Sequence, residues 1–217
     1  HWGDENADTF AAVYVDSTYL YVGGDTFSVS PNNDVIFSIY NKNDLGAGPI
    51  NTLILDGVTD RGDAIFKIIS DGQYIYIIGY SAYNWYNGGD YDAIIVKYDK
   101  ATMALVQQAY YRGGSYDLLR GAVIDGGYIY AVGVGSEPGR DWSGLIIKIK
   151  TADLSIVAQK SYKNSGTEEA FNDILKVGDA LYVSGYSTYG GNYNGILLKY
   201  DSDLNLLAAR KYGGSRE

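Results

Sequence analysis

Short apolar runs rich in Ile, Val, Leu and Tyr alternate along the whole chain with breaks of Gly, Asn, Asp and Ser. No stretch holds a helical period for more than a turn, so the pattern predicts strands throughout. The clearest set lies between residues 64 and 111. Ala64–Ser70 is apolar and stops at Asp71-Gly72, a two-residue turn signal. YIYIIGY follows at Tyr74–Tyr80, then a Gly/Asn-rich loop, then DAIIVKY at Asp92–Tyr98, a short turn, and Leu105–Tyr111. The second and third strands of this set are apolar at successive positions instead of alternating. That pattern predicts sheets covered on both faces.

The set is written four times, with a period of about 53 residues. Its anchor is a Tyr three residues before a Gly: Tyr21/Gly24, Tyr76/Gly79, Tyr130/Gly133 and Tyr182/Gly185. An acid lies thirteen residues before each Tyr, at Asp8, Asp63, Asp117 and Glu169. Lys97, Lys148 and Lys199 close the third strand, with Ile39 in that slot of the first copy. The first copy is the most divergent, with Pro49 ahead of a weaker fourth strand. Four-stranded units that bury both faces by stacking on their neighbours are the blades of a β-propeller. The expected fold is therefore all-β, a β-propeller of four four-stranded antiparallel blades in a single domain, residues 1–217. Blade boundaries are expected near 1–59, 60–114, 115–166 and 167–217. The repeated Gly is expected to be structural, at a place where no side chain fits.

The combined motif, with its acid, Asp-Gly turn, Tyr-x-x-Gly strand, Lys-Tyr strand end and closing Gly pair, resembles the kelch-like and related bacterial and archaeal surface β-propeller repeats. The resemblance covers nearly the whole chain. It implies the fold and is almost silent on activity, because propellers host unrelated functions. The chain lacks the Trp-Asp ending of WD repeats, the Asp-boxes of sialidases and the regularly placed Trp of quinone-dependent dehydrogenases.

Composition removes several classes. The net charge is −9 and the 17 Lys and Arg are scattered singly, which argues against a nucleic-acid partner. No apolar run reaches membrane-spanning length. The chain starts at His1 without a signal-like segment, as a processed or excised piece would. Cysteine is absent, so no thiol nucleophile or zinc-thiolate site exists. Twenty-three Tyr and 28 Gly suit a secreted or cell-surface protein. The only His is His1, which rules out a Ser-His-Asp triad within the domain.

Strand order assigns the loops to two ends. Loops between strands one and two, and three and four, are short turns. Those between strands two and three are long and aromatic, and share their end with the connections between blades. They place Phe27, Tyr83, Trp85, Tyr86, Trp142, Tyr189 and Tyr193 on one rim, the candidate ligand-binding surface. Exposed aromatics beside Asn and Asp stack on sugars or anchor protein contacts, and they also fold back to pack locally. All three readings stand at this point.

The phased acids Asp8, Asp63, Asp117 and Glu169 open the innermost strands at the same end. They could hold an axial cation such as Ca²⁺, or cap neighbouring backbone N–H groups. No other cofactor is expected. Asp201, Asp203 and Asn205, spaced D-x-D-x-N, lack the Gly and distal Glu of a calcium loop and read as a turn. The functional expectation is a non-catalytic extracellular propeller that binds protein, as in a surface layer, filament or adhesin. A lectin-like carbohydrate-binding module is the alternative, and a glycoside-cleaving enzyme trails both. Residues 1–7 restate the phase reached at Tyr212–Glu217, so the cut falls between blades. Four blades can close a small ring; the alternatives are that the chain is part of a longer array or pairs with a second copy, as a homo-oligomer, to build a larger ring.

Overall fold

A computed structural model describes residues 8–26, 34–55, 62–83, 90–114, 116–136, 142–164, 166–189 and 192–213. Among these residues, sixteen strands make four four-stranded antiparallel sheets, each formed from four consecutive strands in sequence order. Blade 1 holds β1 (Asp8–Val15), β2 (Tyr19–Thr26), β3 (Asp34–Asn41) and β4 (Pro49–Leu55), with one 3₁₀ turn at Leu45–Ala47. Blade 2 holds β5 (Ala64–Ser70), β6 (Tyr74–Tyr83), β7 (Asp90–Asp99) and β8 (Ala104–Tyr111). Blade 3 holds β9 (Leu118–Asp125), β10 (Tyr128–Ser136), β11 (Trp142–Lys150) and β12 (Ile156–Tyr162). Blade 4 holds β13 (Glu169–Val177), β14 (Ala180–Tyr189), β15 (Asn192–Tyr200) and β16 (Leu206–Tyr212). The chain forms two compact units, His1–Tyr111 with the first two blades and Arg112–Glu217 with the last two.

The Tyr-x-x-Gly anchor has a local cause in every copy. The first strand of each blade carries a β-bulge where it meets the anchor Gly, between Phe10 and Ala12, Ile65 and Lys67, Leu119 and Gly121, and Phe171 and Asp173. The bulge bends that strand onto its neighbour. A Cβ on Gly24, Gly79, Gly133 or Gly185 would lie 1.7–2.0 Å from a carbonyl oxygen of the bulged strand. The expectation that this Gly is structural holds. The crowding comes from the blade's own first strand, not from a neighbouring blade.

The anchor Tyr and the phased Lys are cross-strand partners. Tyr76 pairs with Lys97, Tyr130 with Lys148 and Tyr182 with Lys199. The ammonium groups lie over Tyr rings, Lys97 4.1 Å from the Tyr74 ring centre and Lys148 4.7 Å from that of Tyr128. In blade 1, where Ile39 pairs with Tyr21, the cation comes from blade 2. Lys100 sits 5.8 Å from the Tyr21 ring centre and 2.5 Å from Asp16 Oδ2.

Asp16 is the hub of this junction. It accepts hydrogen bonds from the backbone N–H groups of Thr18 and Tyr19 and from the Tyr21 hydroxyl. Burial opposes its charge, but Lys100, the two N–H groups and the hydroxyl outweigh it and hold the carboxyl well below the usual carboxylate range. A depressed folded pKa gives stability that is fully present above the unfolded carboxylate value of about 3.9 and lost as pH falls below it. Asp16→Asn is therefore expected to lower stability by about 1 kcal/mol at pH 7 in urea unfolding. The gap between wild type and variant should narrow as pH falls from about 4 to 2.5; a constant gap would overturn this assignment.

Blades within a unit stack through apolar faces. In the first unit, Tyr21, Phe37 and Ile39 of blade 1 meet Ile65, Ile75 and Ile94 of blade 2. In the second, Tyr130, Val132 and Ile146 of blade 3 meet Phe171, Leu181, Ile196 and Leu198 of blade 4. The sequence expectation of two covered faces holds for β7 and β11, whose central residues are buried in succession. It fails for β15. There Ile196 and Leu198 are buried but Gly195 and Leu197 are exposed, although the stretch reads GILLKY like its counterparts. The sequence is written for two neighbours, and within its own unit blade 4 has one, blade 3.

Candidate functional site: the long-loop end of the blades

Where strands β2 and β3 and their counterparts run into the long loops, each blade carries a row of polar side chains. The row crosses the three inner strands as Asp8–Thr26–Asp34 and Glu169–Ser187–Asn194 in blades 1 and 4; in blades 2 and 3 it runs Ser81–Asp92 and Gly135–Ser143, with Asp63 and Asp117 one residue ahead of β5 and β9. Except for Asp8, whose side chain lies outside the described residues, the polar members of these rows are buried. Sequence reasoning found the first member of each row. It missed the second and third because hydroxyls, amides and carboxylates alternate at those positions. The available signal was their constant distance from the anchor Gly.

Burial without compensation would make such a row costly. Three of the acids find partners close by. Asp63 Oδ1 accepts from Ala82 N–H at 3.0 Å. Asp117 Oδ2 accepts from Gly113 and Gly114 N–H at 2.7 and 2.8 Å, and so ties down the Gly pair that ends blade 2. Glu169 Oε1 accepts from Ser187 Oγ at 3.0 Å, from Asn164 Nδ2 at 3.2 Å, and from the Thr167 hydroxyl. The backbone N–H bonds to Asp63 and Asp117 are the capping contacts weighed from the sequence, and charge-assisted bonds of this kind are strong. Among the described residues, no three His, Cys, Asp or Glu side chains come together as a metal-binding group. Asp201 likewise turns on its own loop, accepting from Asp203 N–H, Asn205 N–H and Asn205 Nδ2 at 2.8–2.9 Å.

The aromatic rim is partly drawn inward. Trp142, half-buried at the start of β11, stacks on Tyr116 with ring centres 4.9 Å apart and planes 7° from parallel. Tyr116 comes from the connection that precedes β9, and Ser136 Oγ accepts its N–H at 2.8 Å. Tyr193 in blade 4 is 75% exposed and meets Tyr186 edge-on at 5.1 Å. The two pairs belong to adjacent blades of one unit, so this end presents aromatic surface held by strands. Phe27, Trp85 and Tyr86 lie outside the described residues, as do the side chains of Tyr83 and Tyr189.

No protein-family model and no curated relative matches the chain. Solved structures do. A subtype N10 neuraminidase-like protein of A/little yellow-shouldered bat/Guatemala/060/2010 superposes over 95% of this chain and 59% of its own, with a TM-score of 0.57 and 12% identity. A neuraminidase-like protein from A/bat/Guatemala/164/2009 gives 96%, 55%, 0.55 and 11%. The structure of YjhT gives 99%, 68%, 0.54 and 12%. The sheets of this chain are β-propeller blades. The chain spans less than two thirds of either bat protein, and at this identity the likeness establishes the fold alone. No described helix is long and apolar enough to cross a membrane.

Proposed function

We propose that this chain is a non-catalytic, kelch-like surface propeller that makes protein contacts through the long-loop end of its blades, as part of a surface layer, filament or adhesin outside the cell. One observation carries the reading. Tyr193 stands three-quarters exposed on that end, braced edge-on by Tyr186, on a strand rather than a mobile tail. A braced aromatic offers large contact area with little rotamer entropy to lose, which is why Tyr and Trp dominate protein-contact anchors. The buried polar rows beneath support the reading by fixing the strand ends from which the loops spring. The Gly-, Asn- and Tyr-rich composition without cysteine is compatible with an external location.

The test is a photoreactive phenylalanine analogue in place of Tyr193, irradiated on cells of the source organism. Discrete polypeptide adducts are expected, displaced by excess wild-type chain but not by Tyr193→Ala. The variant should keep wild-type unfolding, because an exposed ring at this position carries little stability. A glycan array probed in parallel is expected to stay blank. A glycan signal lost in Trp142→Ala, with no polypeptide adduct, would replace this reading with the lectin one.

A further inference from the structure

The two oxygens of Glu169, the fully buried residue that opens β13, have opposite surroundings. Oε1 accepts from the Ser187 hydroxyl at 3.0 Å, from Asn164 Nδ2 at 3.2 Å and its backbone N–H at 3.3 Å, and from the Thr167 hydroxyl. Oε2 is sealed from solvent and meets no hydrogen-bonding partner among the described residues. Every donor to Oε1 is neutral, and the ion pairs of the described residues leave Glu169 out. The acids at the same phase in blades 2 and 3 are Asp63 and Asp117, which cap backbone N–H groups. Glu169 is one methylene longer and takes most of its bonds from side chains.

A buried carboxylate without a cation is costly, and so is a buried oxygen without a partner. A proton on Oε2 does not remove the second cost, because it would be a buried donor with no acceptor in reach. A water molecule there would supply a hydrogen bond but no charge. A cation supplies both. The surrounding groups suit one, since the Ser187 and Thr167 hydroxyls spend their hydrogens on Oε1 and keep lone pairs on oxygen. Both hydroxyls are buried beside the carboxylate. The donors are hard oxygens without sulfur or imidazole, and their spacing follows no octahedral plan. That chemistry selects Ca²⁺ over Zn²⁺ or Mg²⁺.

We propose that Glu169 Oε2, with the hydroxyl oxygens of Ser187 and Thr167, holds a calcium ion inside blade 4. All of these residues belong to the second unit, and the site uses none of the other phased acids. With a single carboxylate, the dissociation constant is expected on the order of 10⁻⁴–10⁻³ M, the range of extracellular modules. The ion would fasten the connection that carries Asn164 and Thr167 onto β13 and β14, beneath the long-loop end. The site stands or falls independently of what the aromatic rim contacts.

The test is a calorimetric titration of the chelator-treated chain with CaCl2. One site per chain is expected, with a thermal midpoint about 2–6 °C higher in 10 mM CaCl2 and little change in MgCl2. Glu169→Gln keeps the size of the side chain and an acceptor for the four donors, and it removes the charge. It should weaken calcium binding at least about tenfold and abolish the midpoint shift. Ser187→Ala, which removes one hydroxyl and leaves the carboxylate, should weaken binding about threefold or more, and it decides the matter if Glu169→Gln does not fold. A wild-type chain that takes up no calcium at 10 mM would overturn the proposal. So would calcium binding unchanged in the folded variants, since the ion would then sit elsewhere.

Discussion

Gly133→Ala is expected to unfold the second unit under conditions where the wild type is fully folded. The added methyl would sit 1.8 Å from Leu118 O and 2.9 Å from Leu119 Cα, both backbone atoms of the neighbouring strand. A flexible side chain could swing away from such a contact, but these atoms belong to the β-bulge itself. Relief requires flattening the bulge, and that shifts β9 by one residue relative to β10. A one-residue slip turns the strand's buried set toward the opposite face, with Leu119 and Ala122 among the casualties. The cost is expected at about 3–5 kcal/mol, a large part of the stability of a domain this size. Urea unfolding followed by circular dichroism measures it. Gly126→Ala is the control. Gly126 has φ +56° with nothing within 4 Å of an added Cβ, so only the left-handed backbone penalty of about 1 kcal/mol applies. Equal losses from the two substitutions would overturn the bulge argument.

Phe171→Ala should cost nearly as much, and Phe10→Ala much less, although the two residues hold equivalent positions in the repeat. Phe171 is fully buried between blades 3 and 4, over Gly144 and 6.1 Å from the Tyr162 ring. Truncation removes its transfer free energy and leaves a cavity that the rigid sheets on either side cannot close. Losses for buried Phe of this kind run at about 3–5 kcal/mol. Phe10 is half exposed, so its truncation in dilute protein should cost less than about 1 kcal/mol. Chemical denaturation at low protein concentration compares them directly. Equal losses would show that position in the repeat, and not burial, sets the cost.

Much of the fold was legible in the sequence because a repeat reports its own phase. The Tyr-x-x-Gly anchors placed every second strand, and the apolar runs around them located the third strands. The reason for the Gly was not legible. It depends on a bulge in the strand opposite, and no single strand's sequence records the register of its partner. The Lys slot had a similar limit. Its phase was visible, but its pairing with the anchor Tyr appears only once β6 and β7, or β10 and β11, lie side by side. At the candidate site, the acids were found because they recur in phase. Their buried partners on the second and third strands were missed because Thr, Ser, Asp and Asn substitute for one another there. Trp142 was assigned to the rim from the loop pattern, but its flat contact with Tyr116 was not foreseen. Tyr116 reaches it from a connection between blades, and nothing in its own neighbourhood announces that.

The sequence by itself determined the strand content, the four-fold repeat and the chemistry of each blade face, because hydrophobic patterning and turn residues act locally. Tertiary structure decided which of those faces are covered. Leu197 and Ile146 are equally apolar in equivalent strands, yet Ile146 is sealed by blade 4 and Leu197 faces outward. Burial depends on what lies across the junction, and no residue encodes its neighbour's presence. The GILLKY strand carries apolar residues for both of its faces, but within its unit only the face toward blade 3 is covered.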